Sequence, residues 1–288
     1  MSTHPHGLLT ARDLRPLVGA LFITVFVMGL EIAAGLLSHS LALLADAGHM
    51  ATDTAALGMS LFAGWIARQP ATRTKTYGFY RTEILAAFLN GLTLWLIVAW
   101  IVYEAIRRLL HPPAVQASMM LMTAVIGLAA NLGCAWVLRP SRVQGLNLSS
   151  AYLHVLSDAL GSVSVIGAAA VIWTTGWSLA DPIASLLVCA GILWGSWNLI
   201  RDSVNILLEG APAHIEVAKV MRAMQGIPGV RRVHDVHIWT ITSGMEAMSS
   251  HVLVDPSAGS QEVLNRLNVL LCERFGIHHT TFQLETEV

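Results

Sequence analysis

His49 and Asp53 stand four residues apart in "AGHMATD", and His154 and Asp158 repeat the spacing in "YLHVLSD", each inside an otherwise apolar run. Side chains at i and i+4 share one helix face, with Cβ atoms about 6 Å apart, so each pair can present an imidazole and a carboxylate to one ion. Two such pairs supply four ligands of type N2O2 carrying two negative charges. That set suits a tetrahedral divalent cation, and zinc bonds both donor types at about 2.0 to 2.2 Å. Calcium and magnesium favour all-oxygen shells and fit poorly, whereas cadmium and cobalt accept the same donors as zinc. A single His-x-x-x-Asp in a polytopic protein reads as an interhelical hydrogen bond. Two copies on antiparallel helices favour an ion site.

The elements that must hold these residues read as membrane helices. The chain has 288 residues, 55% of them hydrophobic and 12% charged, against about 25% charged in an ordinary soluble domain. A net charge of -1 argues against nucleic acid as a partner. Six segments, 17–37, 42–66, 84–106, 117–138, 148–173 and 182–199, approach the ~20 apolar residues needed to cross a lipid bilayer. The first nineteen residues lack the layout of a cleavable signal, so the first apolar run is expected to remain in the mature chain. Within the six spans stand Glu31, Asp46, His49, Asp53, Glu104, His154 and Asp158, with no Lys or Arg. Ionisable groups at that depth cost at least ~2.5 to 3.5 kcal/mol and mark ion paths. The missing positive charge is read as a transported cation.

Arg12, Arg15, Arg68, Arg73, Lys75, Arg81, Arg139, Arg142 and Arg201 flank one side of the spans and only Arg107 and Arg108 the other. The positive-inside rule then predicts cytoplasmic N- and C-termini. In that topology the second helix runs inward and the fifth outward, so His49 lies level with Asp158 and Asp53 with His154. Asp46, Glu31 and Glu104 read as supporting groups, with Glu104 beside Arg107 and Arg108. Asn90 and Asn131 read as helix-to-helix hydrogen bonds. Cys134, Cys189 and Cys272 have no CxxC spacing and are assigned neither disulfide nor metal.

Charge returns after the sixth span. The order helix, strand, strand, helix, strand, with a serine cap and terminal glycine around "SQEVLNRLNVLLCERFG", predicts a small α+β domain at 211–288 following a transport domain at 1–210. The fold class is thus an α-helical membrane protein of six transmembrane helices plus that domain. Six of the twelve histidines, His214, His234, His237, His251, His278 and His279, fall in it. Strand alternation predicts His234 and His237 on opposite faces.

In "SLALLADAGHMATD", "YGFYRTEILAAFLNG", "AYLHVLSDALGSVSV", "DPIASLLVCAGIL", "RDSVNILLEGAP" and "HDVHIWTITSG", the chain resembles the cation diffusion facilitators over nearly its whole length, and within them the zinc-transporting branch. The resemblance implies a homodimer in the bacterial inner membrane whose cytoplasmic domain is like a metallochaperone. It implies export of divalent metal, zinc above all, in exchange for protons. It places the intramembrane site on His49, Asp53, His154 and Asp158, and His49 favours zinc where iron or manganese relatives have carboxylate. It places cytoplasmic, regulatory metal ligands on His234, His251 and Glu285, with Gln283 standing where some relatives have histidine. Two family features are missing: a histidine-rich loop after the fourth helix, and histidine in "RQPATRTKTYG", where no metal is expected.

Alternating access through the quartet uses one ligand set for both ions, since metal binding requires deprotonated ligands. An intramembrane zinc hydrolase would call for an open ligand position and commonly HExxH, which the sequence lacks, so no enzyme is expected. A metal sensor would need an output module, and nothing resembling a kinase, cyclase or DNA-binding unit follows the cytoplasmic domain.

Overall fold

The computed structural model describes residues 11–67, 69, 72–137, 146–242 and 244–286, with backbone alone at 11–18, 20, 57, 60, 61, 63, 64, 67, 135, 137 and 146–157. Arg68, Arg139 and Arg142, used above for the charge asymmetry, lie outside the described residues. Each apolar run forms a long helix: α1 Ala11–Ser38, α2 Leu41–Ala67, α3 Arg81–Leu110, α4 Ala117–Val137, α5 Leu146–Thr175 and α6 Ala180–Leu207. Several extend past the apolar spans because flanking polar turns continue the hydrogen-bond ladder. Among the described residues, five helices are long and apolar enough to cross a membrane: α1, α3, α4, α5 and α6. The sixth, α2, is 27 residues long, and Asp46, His49 and Asp53 interrupt its apolar run.

The chain divides into two compact units, 1–58 with 90–197 and 59–89 with 198–288. In the first, α2 belongs to two apolar clusters at once. Ala42 and Leu43 pack with Ala34, Met120, Ala124, Val165 and Ala169 of α1, α4 and α5. Leu41 and Ala45 pack with Leu94, Val98, Ile101 and Ile192 of α3 and α6. Alanine at these contacts lets helix backbones approach closely, the usual means of association in lipid.

The start of α2 is pinned by a residue 140 positions further along the chain. Asp181, at the start of α6 and 0% exposed, accepts hydrogen bonds from Ser40 Oγ (2.6 Å), Leu41 N (2.7 Å) and Ala42 N (3.2 Å). It thereby satisfies amides that a helix start leaves without intrahelical partners. Arg108 Nη1 lies 3.7 Å from Asp181 Oδ2 and donates to the His39 carbonyl at 2.6 Å. The corner that carries the site helix is therefore tied to α3 and α6.

In the second unit, α7 (Val217–Gln225), β1 (Val230–Thr242), β2 (Met245–Val254), α8 (Ser260–Phe275) and β3 (His279–Glu285) follow the expected order. The sheet runs β1-β2-β3, with β1 antiparallel and β3 parallel to β2. Val220 and Met224 of α7 and Val263, Leu267 and Leu271 of α8 cover one face, over Val233, Ile238, Met248 and Val252. Ser260 is the first residue of α8 rather than its cap, and Gly259 takes the cap position without a side-chain hydrogen bond.

The expectation for His234 and His237 fails. His234 pairs with His251 and His237 with Ser249, two positions apart on β2 and so on one face. A register shift between them inserts an extra residue, with Asp235 in left-handed conformation (φ 49°). Such a bulge re-aims the side chains that follow it.

Candidate metal centres

The first centre is built by α2 and α5. His49 Nδ1 lies 3.3 Å from Asp53 Oδ2 across one helical turn, and His49 Nε2 lies 3.6 Å from Asp158 Oδ1. One ligand atom from each of His49, Asp53 and Asp158 falls within 4.8 Å of the others, the spread of a single metal shell. His49 is thus level with Asp158, as the antiparallel layering requires. Asp158 is buried while His49 and Asp53 are partly exposed, so the group opens on one side. His154 belongs to α5, one turn before Asp158, and its side chain lies outside the described residues.

Hydroxyls near the site are turned to the backbone: Thr52 Oγ1 donates to the His49 carbonyl at 2.7 Å and Thr54 Oγ1 to the Met50 carbonyl at 2.9 Å. Glu104 is held elsewhere, by Arg107 and Arg108 at 3.1 Å each. Sequence reasoning did not single out Asp181, which orients α2 from outside the site. Its only signal is an acidic residue opening the "DPIASLLVCAGIL" helix.

The second centre sits on the open face of the sheet. Glu285 Oε1 lies 2.7 Å from His251 Nδ1 and its Oε2 3.0 Å from His234 Nε2, and the two imidazole centroids are 5.3 Å apart. One ligand atom from each of His234, His251 and Glu285 falls within 4.8 Å of the others. Hydrogen bonds from His251 first and His234 second hold the Glu285 carboxyl below the usual carboxylate range, which keeps it in the ionised form a metal needs. Gln283 Nε2 also donates to Glu285 Oε1, at 3.1 Å.

The bulge adds a neighbour that the linear pattern concealed. Asp235 Oδ2 lies 3.6 Å from His251 Nε2, and its Oδ1 lies 3.0 Å from His237 Nε2. A histidine that ligates through one nitrogen commonly engages a carboxylate with the other. Other histidines of this unit have separate partners: His278 Nδ1 is 3.3 Å from Cys272 Sγ, and His214 Nε2 is 3.6 Å from Glu246 Oε1.

Both groupings combine neutral nitrogen and anionic oxygen donors without a lysine or arginine in the set, a chemistry suited to borderline divalent metals. Residues 17–208 match the cation efflux transmembrane domain and residues 212–287 the cytoplasmic domain of cation efflux proteins. The chain is similar to the cadmium, cobalt and zinc/H(+)-K(+) antiporter of Bacillus subtilis (strain 168), at 43% identity over 276 residues, 94% of this chain and 88% of that one. It is similar to the zinc transporter ZitB of Escherichia coli (strain K12), at 45% identity over 273 residues, 94% of this chain and 87% of that one. Among solved structures, the metal-bound C-terminal domain of the CzcD transporter from "Cuprividus metallidurans" matches at 38% identity, covering 25% of this chain and 99% of that one, with a TM-score of 0.24. With both of its domains matched in order, the chain belongs to the cation efflux family, the cation diffusion facilitators.

Proposed function

We propose that the chain is a proton-coupled antiporter that exports divalent metal from the cytoplasm, zinc foremost, with cadmium and cobalt accepted by the same donors. The observation that carries this reading is the convergence of His49, Asp53 and Asp158 within 4.8 Å, in helices whose apolar spans hold no Lys or Arg. The transport site is His49, Asp53, His154 and Asp158. Metal reaches it from the cytoplasm, binds neutral imidazole and ionised carboxylate, and leaves on the other side as protons take its place. Free imidazole titrates near pH 6.5, and ligand deprotonation ties metal affinity to pH, so an inward proton gradient drives metal out. The names of the relatives, an antiporter for cadmium, cobalt and zinc and a zinc transporter, support this choice of cargo and coupling.

The proposed arrangement is a homodimer in the bacterial inner membrane with both termini cytoplasmic, a transport domain at 1–210 and a cytoplasmic domain at 211–288. His234, His251 and Glu285 serve there as a regulatory metal site. Zinc uptake into proteoliposomes tests the transport reading: Asp53→Asn and Asp158→Ala are each expected to remain folded and lose flux. Native flux in both variants removes the quartet from the mechanism. Zinc titration of His251→Ala tests the regulatory site, and an unchanged binding count sinks it.

A further inference from the structure

Two buried carboxylates stand beside the α2–α5 site without a part in it. Asp46, one turn before His49 on α2, is 3% exposed, and Glu31 of α1 is 1% exposed. Ser162 of α5 connects one of them to the site: its hydroxyl lies 3.5 Å from Asp46 Oδ2 and 3.2 Å from the carbonyl of Asp158. Two glycines on facing helices make room for the carboxyl groups. A Cβ built on Gly127 of α4 would lie 2.6 Å from Glu31 Oε1 and 3.7 Å from Ser162 Oγ, and one on Gly161 of α5 would lie 3.0 Å from Asp46 Oδ1. Glu31 thus shares with Ser162 the space beside Gly127. Its other oxygen, Oε2, is fully buried and has no hydrogen-bond partner among the described residues.

A buried carboxylate oxygen with no donor is costly in a helical interior, and within a membrane such groups mark ion paths. The apolar spans contain no Lys or Arg that could neutralise it. We propose that Glu31, Asp46 and Ser162 form a second cation station, made of oxygen donors alone, which receives divalent metal from the α2–α5 site. This rests on the transport reading above. Asp46 lies nearer than His49 and Asp53 to the turn between α1 and α2, so the station falls between that site and the membrane face at this turn. In the proposed topology that face is the non-cytoplasmic one. An oxygen-only set lacks the imidazole nitrogens that zinc favours, so it holds the ion more loosely than the quartet and suits release.

Equilibrium dialysis of the purified full chain against saturating zinc counts the ions held, and proteoliposome uptake measures flux. The Glu31→Gln/Asp46→Asn double variant is expected to hold one zinc fewer per chain than native protein and to lose at least tenfold in flux. Gly127→Ala keeps both carboxylates but crowds Glu31, and is expected to lower flux by a smaller factor. Glu31→Gln alone, nearly isosteric, gives the same readings should the double variant fail to fold. Equal zinc counts in native and double variant overturn the station. An altered pH dependence of flux at equal zinc count also overturns it, by assigning the carboxylates to protons. Asp53→Asn separates the two levels: native flux there defeats the transport reading, while loss of one zinc in the double variant still establishes the station as a binding site.

Discussion

Removing the Asp181 carboxylate should loosen the corner from which the site helix starts. Asp181→Ala deletes the acceptor of three hydrogen bonds, from Ser40 Oγ at 2.6 Å, Leu41 N at 2.7 Å and Ala42 N at 3.2 Å. Hydrogen bonds to a charged group contribute about 1.5 to 3 kcal/mol each, but they share one carboxylate and do not add in full. The substitution also removes one of the two carboxylates beside Arg108, 3.7 Å away, but Glu104 stays with it at 3.1 Å, so only a small part of the cost of breaking a buried pair is added. The expected loss is therefore about 3 to 5 kcal/mol for alanine, and roughly half that for asparagine, which keeps one acceptor oxygen. At about 2 to 4 °C per kcal/mol for a domain of ~200 residues, the midpoint for Asp181→Ala should fall by roughly 6 to 20 °C. Scanning fluorimetry of the full chain in one detergent measures it, and zinc flux should drop with it because α2 carries His49 and Asp53. An Asp181→Ala midpoint within about 2 °C of native would refute the role of Asp181 as the anchor of α2.

Three further outcomes follow from the second unit. Asp235→Asn should weaken zinc binding at His234, His251 and Glu285 by about tenfold, the scale of losing a group that orients a ligand, and isothermal titration of the full chain reads it; unchanged affinity removes Asp235 from the site. Asp255 is held at about 2 by the Ser257 amide, the Ser257 hydroxyl and Arg231. A depressed carboxyl contributes stability above its unfolded pKa and loses it as pH falls through the folded value, so the advantage of native protein over Asp255→Asn should be complete above pH ~4 and fade toward pH 2. A pH-independent difference in denaturation midpoint contradicts that assignment. Leu267, fully buried in α8 against the sheet, should cost about 2 to 5 kcal/mol when cut to alanine, read by chemical denaturation, and a change below ~1 kcal/mol refutes its place in the core.

Local periodicity made much of this architecture legible. The apolar runs marked α1 to α6, alternation around "TITSG" marked β1 and β2, and the four-residue spacing put His49 and Asp53 on one face. What escaped depends on the third dimension. Asp181 caps a helix that begins 140 residues earlier, and nothing local to either stretch announces the pairing. Strand alternation failed at Asp235 because a bulge there breaks the two-residue period, and the same bulge brought Asp235 beside His251. Glu31 and Asp46 were visible as charges in apolar helices, but it takes the Ser162 hydroxyl 3.5 Å from Asp46 and the space left by Gly127 and Gly161 to relate them.

In the proposed cycle one ligand set carries metal and protons alternately. The decisive experiment records zinc uptake and internal pH together in proteoliposomes, with and without an imposed pH gradient, for native protein and Asp158→Ala. Gradient-dependent zinc movement is expected, with protons moving the opposite way, both lost in the variant. Equal flux in the variant, or zinc bound by the native chain with no movement of metal, would contradict the cycle.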